Sequence, residues 1–211
     1  MGKLELNKKR KKEALFSTAF ELFTTKGMAK TTISDIVEKA GVAKGTFYLY
    51  FQDKNDIRNK LVSHKTGELF FEAHEALQEQ QLENFEDQLN FILDFIIDKL
   101  EKNRPLLLFI AKNLSWGVFR GAFEEKMPDN TYHFYETYQQ LLENSKVAYR
   151  DQELMLFTIT ELVSSTCYSC ILYNQPVSMD TYRPILHNVI RGILKSFEQT
   201  SGQGLSAACP G

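Results

Sequence analysis

Lys44, Thr46, Tyr48 and Tyr50 fall within seven residues of one another and offer an ammonium, a hydroxyl and two phenols. Such groups hydrogen-bond to phosphate oxygens and to base edges. Gly45 stands among them, and a glycine there lets the backbone itself come close to a partner. Val42, Phe47 and Phe51 are the inward-facing residues of the same stretch. The polar groups are thereby left on the outside of a short helix running from about Ala43 to Phe51. The chemistry on offer is recognition of a nucleic acid.

A second short helix is positioned just before it. Ile33, Ile36, Val37 and Ala40 recur at the spacing of one helical face. Thr32 precedes them as an N-cap, with Asp35 three residues on as a short-armed capping box. Gly41 follows at the position where a left-handed residue closes a helix. Two helices joined by a tight glycine turn form a helix-turn-helix, whose second helix enters the DNA major groove. An ordinary helical hairpin with a polar outer face is the alternative, and the flanks argue against it.

Residues 7–26 read as a helix with Leu15, Phe16, Ala19, Phe20 and Phe23 on one face. Its first turn carries Lys8, Lys9, Arg10, Lys11 and Lys12. Cations at a helix N-terminus oppose the macrodipole, so a polyanion partner explains them better than stability does. Met1 to Arg10 as a loose basic arm would serve the same partner. Asp53 marks a further N-cap, with Lys54 in the first turn after it.

The run Ala19-Phe20-Glu21-Leu22-Phe23, Lys26-Gly27, Thr31-Thr32-Ile33, Ile36-Val37, Ala40-Gly41-Val42, Lys44-Gly45-Thr46-Phe47-Tyr48, Tyr50-Phe51 and Asp53-Lys54 resembles the TetR (tetracycline-repressor-like) family of bacterial transcriptional regulators. The resemblance covers roughly residues 8–57, and the rest of the chain matches in helical character and length. One departure is Ala43, where the family often has a serine; losing that cap weakens the helix start by about 1 kcal/mol. The resemblance implies DNA contacts from Thr32, Ser34, Lys44, Gly45, Thr46, Tyr48, Tyr50 and Lys54. Lys44 and Thr46 are the choices for base edges. Tyr48 and Lys54 are assigned to phosphates, as are Thr32 and Ser34 from the preceding helix.

Charge divides along the chain in the same sense. Residues 1–60 hold 13 Lys+Arg and 7 Asp+Glu, a net of +6, and residues 61–211 hold 12 and 20, a net of −8. A basic head on an acidic body points to nucleic acid at the head. No apolar run approaches the length of a membrane span, no signal peptide is evident, and the cysteines are Cys167, Cys170 and Cys209. A cytoplasmic protein without membrane contact is expected.

The fold class expected is all-α. A three-helix helix-turn-helix domain over 1–53 precedes a larger helical ligand-binding and dimerisation domain over 54–198, and a disordered tail occupies 199–211. Helices are predicted near 54–80, 84–102, 105–113, 115–122, 128–146, 151–173 and 180–198, with Pro105 and Pro128 near helix starts and a break at Asn174-Gln175-Pro176. The last two helices carry broad apolar surface, which means burial on more than one side. Ile185, Val189, Ile193 and Phe197 form one stripe of the last helix, and Leu186, Ile190 and Leu194 its neighbour. Leu154, Phe157, Leu162 and Leu172 stand with small serines on the helix before it. The resemblance implies that these two helices pair with their copies in a homodimer; a large monomer core is the alternative.

In the family, the middle of the C-terminal domain encloses a pocket for a small effector. Phe91, Phe95, Phe109, Trp116, Phe119, Phe134 and Tyr138 are the candidate lining, with Arg120, His133 and Tyr168 as polar contacts. An apolar lining without a charge cluster suits an apolar or aromatic molecule, although aromatics at helical spacing also serve as plain core. The expected function is a repressor released from a near-palindromic double-stranded DNA operator when that molecule binds.

Cys167 and Cys170 share a helix face, which admits metal capture or oxidation as a rival signal. Late in an apolar helix, without a second pair and with His187 alone nearby, they read better as structural. His64, His74 and His133 show no ligand spacing, and the carboxylates of residues 73–87 scatter around a helix as on a solvated face. No metal or cofactor is expected. An enzyme is the main competing class, yet no phosphate loop, nucleophile elbow or metalloprotease motif occurs. An all-helical interaction module without DNA affinity is the third class.

Overall fold

The computed structural model describes residues 2–113, 116 and 134–199. The described elements are helical: α1 (Lys3–Thr25), α2 (Ile33–Lys39), α3 (Lys44–Tyr48), α4 (Lys54–Gln78), α5 (Phe85–Lys102), α6 (Arg104–Asn113), α7 (Phe134–Glu143), α8 (Gln152–Tyr173) and α9 (Met179–Phe197). The fold is the all-α arrangement expected, with a helix-turn-helix head and a larger helical body. Apart from Trp116, the predicted helix at 115–122 lies outside the described residues, as do the first turns of that at 128–146 and the tail from residue 200.

Local chemistry sets the head. Thr32 accepts the Asp35 N–H at 3.0 Å, and the Thr32 N–H donates to the Asp35 carboxylate at 2.8 Å. Lys26 also reaches that carboxylate at 2.8 Å. The Lys26 contact, followed by the bond from Thr32, holds the Asp35 carboxyl at about 2. Gly27 and Gly41 stand at positive φ (85° and 67°) just past α1 and α2, conformations that a side chain strains. The head core comprises Leu15, Phe16, Ala19, Phe23, Ile36, Val37, Phe47 and Phe51. α1 is continuous from Lys3, so the basic residues belong to a helix and not to a loose arm.

α4 is the long connector, roughly 37 Å at 1.5 Å per residue. Asp53 caps it by accepting the Asn55 and Asp56 N–H groups at 2.7 and 2.9 Å. Its first half is head and its second half body: Ile57, Leu61 and Val62 complete the head core, whereas Leu69, Ala73 and Leu77 pack with α5 and α6. The packing therefore does not divide at residue 53.

α6 bridges the same two regions. Phe109 packs edge-on against Phe20 at 5.4 Å between ring centroids and stacks over Phe23 at 6.3 Å. Asn103 caps the helix through the Leu106 N–H at 3.1 Å, and Arg104 donates to the Leu172 carbonyl at the far end of α8 at 3.0 Å. Pro105 sits in the first turn, where a missing N–H costs little.

α8 and α9 lie side by side, joined by a turn in which Asn174 takes the left-handed conformation. Contrary to the sequence expectation, α8 is long and apolar enough to cross a membrane by length and composition. Its Met155, Leu156, Ile159, Cys167 and Cys170 are buried in the body core with Leu186, Ile190 and Leu194 of α9, and most of its other residues are half-buried or exposed. The two predicted stripes of α9 separate. The Leu186 stripe is wholly buried, Ile185 and Val189 are 50% and 39% exposed, and Ile193 and Phe197 pack against the core.

Where α1 meets α4, His64 is buried, stacks on Phe16 at 5.1 Å, and lies 3.3 Å from Glu68 and 4.0 Å from Glu13. Partial burial pushes the Glu68 carboxyl up, but the His64 contact and a Lys65 bond of 2.6 Å outweigh it and hold it at about 2, below its ordinary 4.5. A group lowered on folding contributes stability that is complete above its ordinary value and lost as pH falls through the folded one. Urea midpoints measured from pH 5 to pH 2 should therefore fall less steeply for Glu68→Gln than for the wild type. Parallel profiles would deny Glu68 that role.

Candidate nucleic-acid interface and internal cavity

α3 is short and is held from below. Phe47 and Phe51 are buried against α1 and α4, with rings 5.4 Å apart. Ala43 supplies no side-chain cap, as the sequence indicated. Lys44, Gly45, Tyr48 and Leu49 are exposed, Thr46 is half-buried, and Thr32 and Ser34 are exposed at the start of α2. Lys8, Arg10 and Lys11 are exposed along the beginning of α1. This face can present cations, hydroxyls and a phenol to a polyanion.

Two of the candidate contacts have other work. The Lys54 ammonium donates to the Met28 and Thr31 carbonyls at 2.8 and 2.9 Å, so it pins the α1–α2 turn to α4 and is not grouped with the outward cations. The phosphate role assigned to it from the sequence is corrected on that ground: backbone carbonyls brought up by the fold bind its charge. Tyr50 is half-buried, and its hydroxyl donates to the Lys8 carbonyl at 3.2 Å, tying the end of the recognition segment to the basic turn of α1. Leu49, an apolar residue, is exposed beside these polar groups.

The body encloses a cavity of about 470 Å³ between α4, α5, α6, α7 and α8, within the range of pockets for drug-sized molecules. Its wall is mainly aliphatic, with Leu69, Leu93, Ile97, Leu107, Ile110 and Leu156 among the residues. Tyr138, Tyr168, Thr66 and Glu161 add polar character. The Thr66 hydroxyl is buried without a hydrogen-bond partner, and the Tyr138 hydroxyl donates to the Gln152 carbonyl at 3.1 Å.

Most of the aromatic lining expected from sequence lies elsewhere, and this is a correction. Tyr138 is on the wall, as is Tyr168. Phe91 and Phe95 face the Ala73–Leu77–Ile92 packing, because the cavity side of α5 is its Leu89, Leu93 and Ile97 face. Phe109 belongs to the head. Trp116 meets Phe157 edge-on at 5.1 Å and borders an outer groove with Tyr149 and Leu154. Phe119, Arg120 and His133, and the side chain of Phe134, lie outside the described residues. The aromatic rings on the wall that sequence reasoning missed are Phe70 and Phe85; Phe85 follows the Asn84 cap of α5, a signal that places a residue at a helix start but not on a cavity.

Cys167 also lines the cavity. Burial pushes its thiol up to about 12, and burial raises Cys170 as well. A protonated, desolvated thiol is a poor nucleophile and a poor metal ligand. Among the described residues, no group of three or more His, Cys, Asp or Glu is arranged to hold a metal ion.

Residues 12–61 match the model of bacterial regulatory proteins of the tetR family. The chain is 35% identical over 109 residues to the HTH-type transcriptional regulator YvdT of Bacillus subtilis (strain 168), an alignment covering 50% of this chain and 53% of that one. It thus spans about half the length of that relative. Among solved structures, a TetR transcriptional regulator from Rhodococcus sp. RHA1 superposes with a TM-score of 0.64 at 17% identity, over 89% of this chain and 97% of that one. FadR from Bacillus subtilis in complex with stearoyl-CoA superposes with a TM-score of 0.57 at 19% identity, over 84% and 96%. At those identities the likeness is one of fold, and it extends from the head through the body. The head at residues 12–61 is thus of the kind found in bacterial regulatory proteins of the tetR family, and the helical body behind it shares the fold of these solved structures.

Proposed function

We propose that this protein is a cytoplasmic, dimeric transcriptional repressor that leaves a near-palindromic operator when a small, largely aliphatic molecule fills the body cavity. The observation that carries the reading is the position of α6. Its Phe109 is packed into the head while its Leu107 and Ile110 wall the cavity. A ligand that favours a different α6 position therefore acts on the head, and coupling of about 1–3 kcal/mol suffices for a useful response. FadR from Bacillus subtilis, whose structure contains stearoyl-CoA, supports an aliphatic ligand among the apolar or aromatic molecules expected from the sequence. The cavity wall supports the same choice.

The dimer is assigned to the outer faces of α8 and α9. Leu154, Ile185 and Val189 are exposed there with no role in the chain's own core. A two-fold pair of heads calls for two half-sites about one helical turn or more apart. The thiol-sensing alternative has no comparable support, since burial keeps Cys167 protonated.

The basic test is a gel shift with random duplex DNA at low salt, repeated with 1-decanol as an uncharged aliphatic probe. Retardation that the probe weakens is expected; absence of any retardation rules the reading out.

Lys44, an outward cation taken as a phosphate contact in place of Lys54, should on replacement by alanine weaken binding and reduce the salt slope by about one. Lys54→Ala should leave that slope intact and lower the urea midpoint, because it unties the Met28 and Thr31 carbonyls. Interchanged results would restore Lys54 to the interface.

Val189→Asp places a charge in the proposed seam, at a residue that the monomer leaves partly exposed, and should yield folded monomers. Equilibrium sedimentation distinguishes them from the wild-type dimer, and a wild-type monomer at micromolar concentration refutes the assembly.

In a Cys209→Ser background, Cys167 and Cys170 should stay unreactive to Ellman's reagent until urea unfolds the chain. Rapid native labelling that also abolishes DNA binding would favour the thiol model.

A further inference from the structure

We propose that Leu49 reads the C5-methyl group of a thymine in the major groove, an assignment that rests on the DNA-binding reading above. Leu49 is 78% exposed, more than any other large apolar side chain among the described residues. Its backbone stays helical, at φ −72° and ψ −23°, so its side chain projects with the turns of α3. At about 100° per residue, Gly45 and Leu49 each lie about 160° around the helix from Phe47. Phe47 is wholly buried. Gly45 and Leu49 therefore form the outermost line of the segment, at i and i+4 on one face.

The head's own packing explains neither residue. A Cβ added at Gly45 would meet nothing within 4 Å, and its φ is not positive. Glycine in that place weakens the helix by about 1 kcal/mol relative to alanine. The fold thus gains nothing from an absent side chain at 45 or from an exposed leucine at 49. Together they make a notch beside an apolar knob, with Lys44 and Tyr48 exposed alongside. A leucine side chain neither donates nor accepts a hydrogen bond, so it has no use for a phosphate. In the major groove, the apolar feature that differs among base pairs is the thymine methyl. The hydrogen bonds of Tyr50 and Phe51 N–H to the Phe47 carbonyl, both 3.0 Å, hold this end of the segment in place. Leu4, nearly as exposed at 72%, stands in the first turn of α1 beside the chain terminus and shares none of this geometry.

The experiment starts from duplexes that the full chain selects from a random-sequence pool. Each thymine of the selected site is then replaced in turn by deoxyuridine, which removes the methyl and leaves every hydrogen-bonding group. For the wild type, one thymine per half-site should show a loss of about fourfold, the factor that burying one methyl-sized group corresponds to. Leu49→Ala should weaken binding to the thymine duplex by a similar or larger factor and bind the thymine and deoxyuridine duplexes equally. The fold of an exposed-site variant should be intact, and its urea midpoint checks this.

The proposal is overturned if no thymine methyl matters to the wild type, or if the variant keeps the same thymine-to-deoxyuridine ratio. It is also overturned if Leu49→Ala changes the sedimentation of the DNA-free protein, which would assign Leu49 to a contact between protein molecules. If the pool yields no enriched sequence and gel shifts with random DNA are negative, the DNA-binding reading itself fails and takes Leu49 with it. Enrichment without a methyl effect removes only Leu49.

Discussion

Phe109 leaves the body of the molecule to pack against Phe20 and Phe23 of the head, and the remaining architecture is organised around that contact. It adds to the link through α4 and to the packing of Phe20 against Leu106 and Ile110 of α6. With it, α1, α4 and α6 form a closed triangle in which no member shifts alone. Cores are close-packed and transmit displacement instead of absorbing it. A change of a few tenths of an ångström along α6 therefore has to be taken up by α1 or by the first half of α4, and both carry the helix-turn-helix.

Recognition imposes the opposite demand, rigidity at the surface. The head meets it with local bonds that each satisfy a backbone group. The Thr32–Asp35 capping box closes the start of α2, Lys54 closes the Met28 and Thr31 carbonyls, and Tyr50 holds the Lys8 carbonyl. Lys60 reaches the Tyr50 carbonyl at 3.2 Å and Asp56 at 3.1 Å, and so ties the end of the recognition segment to α4. Each is worth about 1 kcal/mol or less when exposed, but together they leave α3 few ways to move relative to its neighbours.

What could be read from the sequence follows the range of the interaction concerned. The capping box, Gly41 at positive φ and the helix ends depend on residues within a few positions of one another. They were legible for that reason: Thr32, Gly41, Asp53 and Asn174 stand where the pattern put them. Lys54 was not, because nothing local says that carbonyls more than twenty residues earlier will surround its ammonium. The cavity wall was not legible either. Aromatic residues on α5 and aliphatic residues on α5 have the same period, and only the angle at which α4 and α6 approach decides that Leu93 faces the space while Phe95 does not. The role proposed for Leu49 was not legible for a chemical reason, since a search for hydrogen-bonding groups discards apolar contacts.

The cavity lies between one wall that is pinned and one that is shared. On the pinned side, Arg183 of α9 reaches Asp94 at 2.9 Å, Asp98 at 2.7 Å and Glu101 at 3.3 Å on α5. His187 lies 3.0 Å from Asp94, and Arg191 reaches Glu86 at 2.6 Å. Single exposed pairs contribute little, but this ladder runs along most of α5 and is partly buried at Arg183. α8 packs on α9 through the largest apolar core among the described residues. On the shared side, α4 and α6 are held by the apolar contacts of Leu69, Leu106 and Ile110, by the head itself, and by single polar ties, Lys99 to Glu72 at 2.6 Å between α5 and α4 and Arg104 to the Leu172 carbonyl at 3.0 Å between α6 and α8. Apolar contacts have no fixed direction and can slide, whereas a forked guanidinium among three carboxylates cannot. On the proposed reading, a molecule in the cavity acts on the head through α6, whose Leu107 and Ile110 wall the space while its Phe109 packs against Phe20.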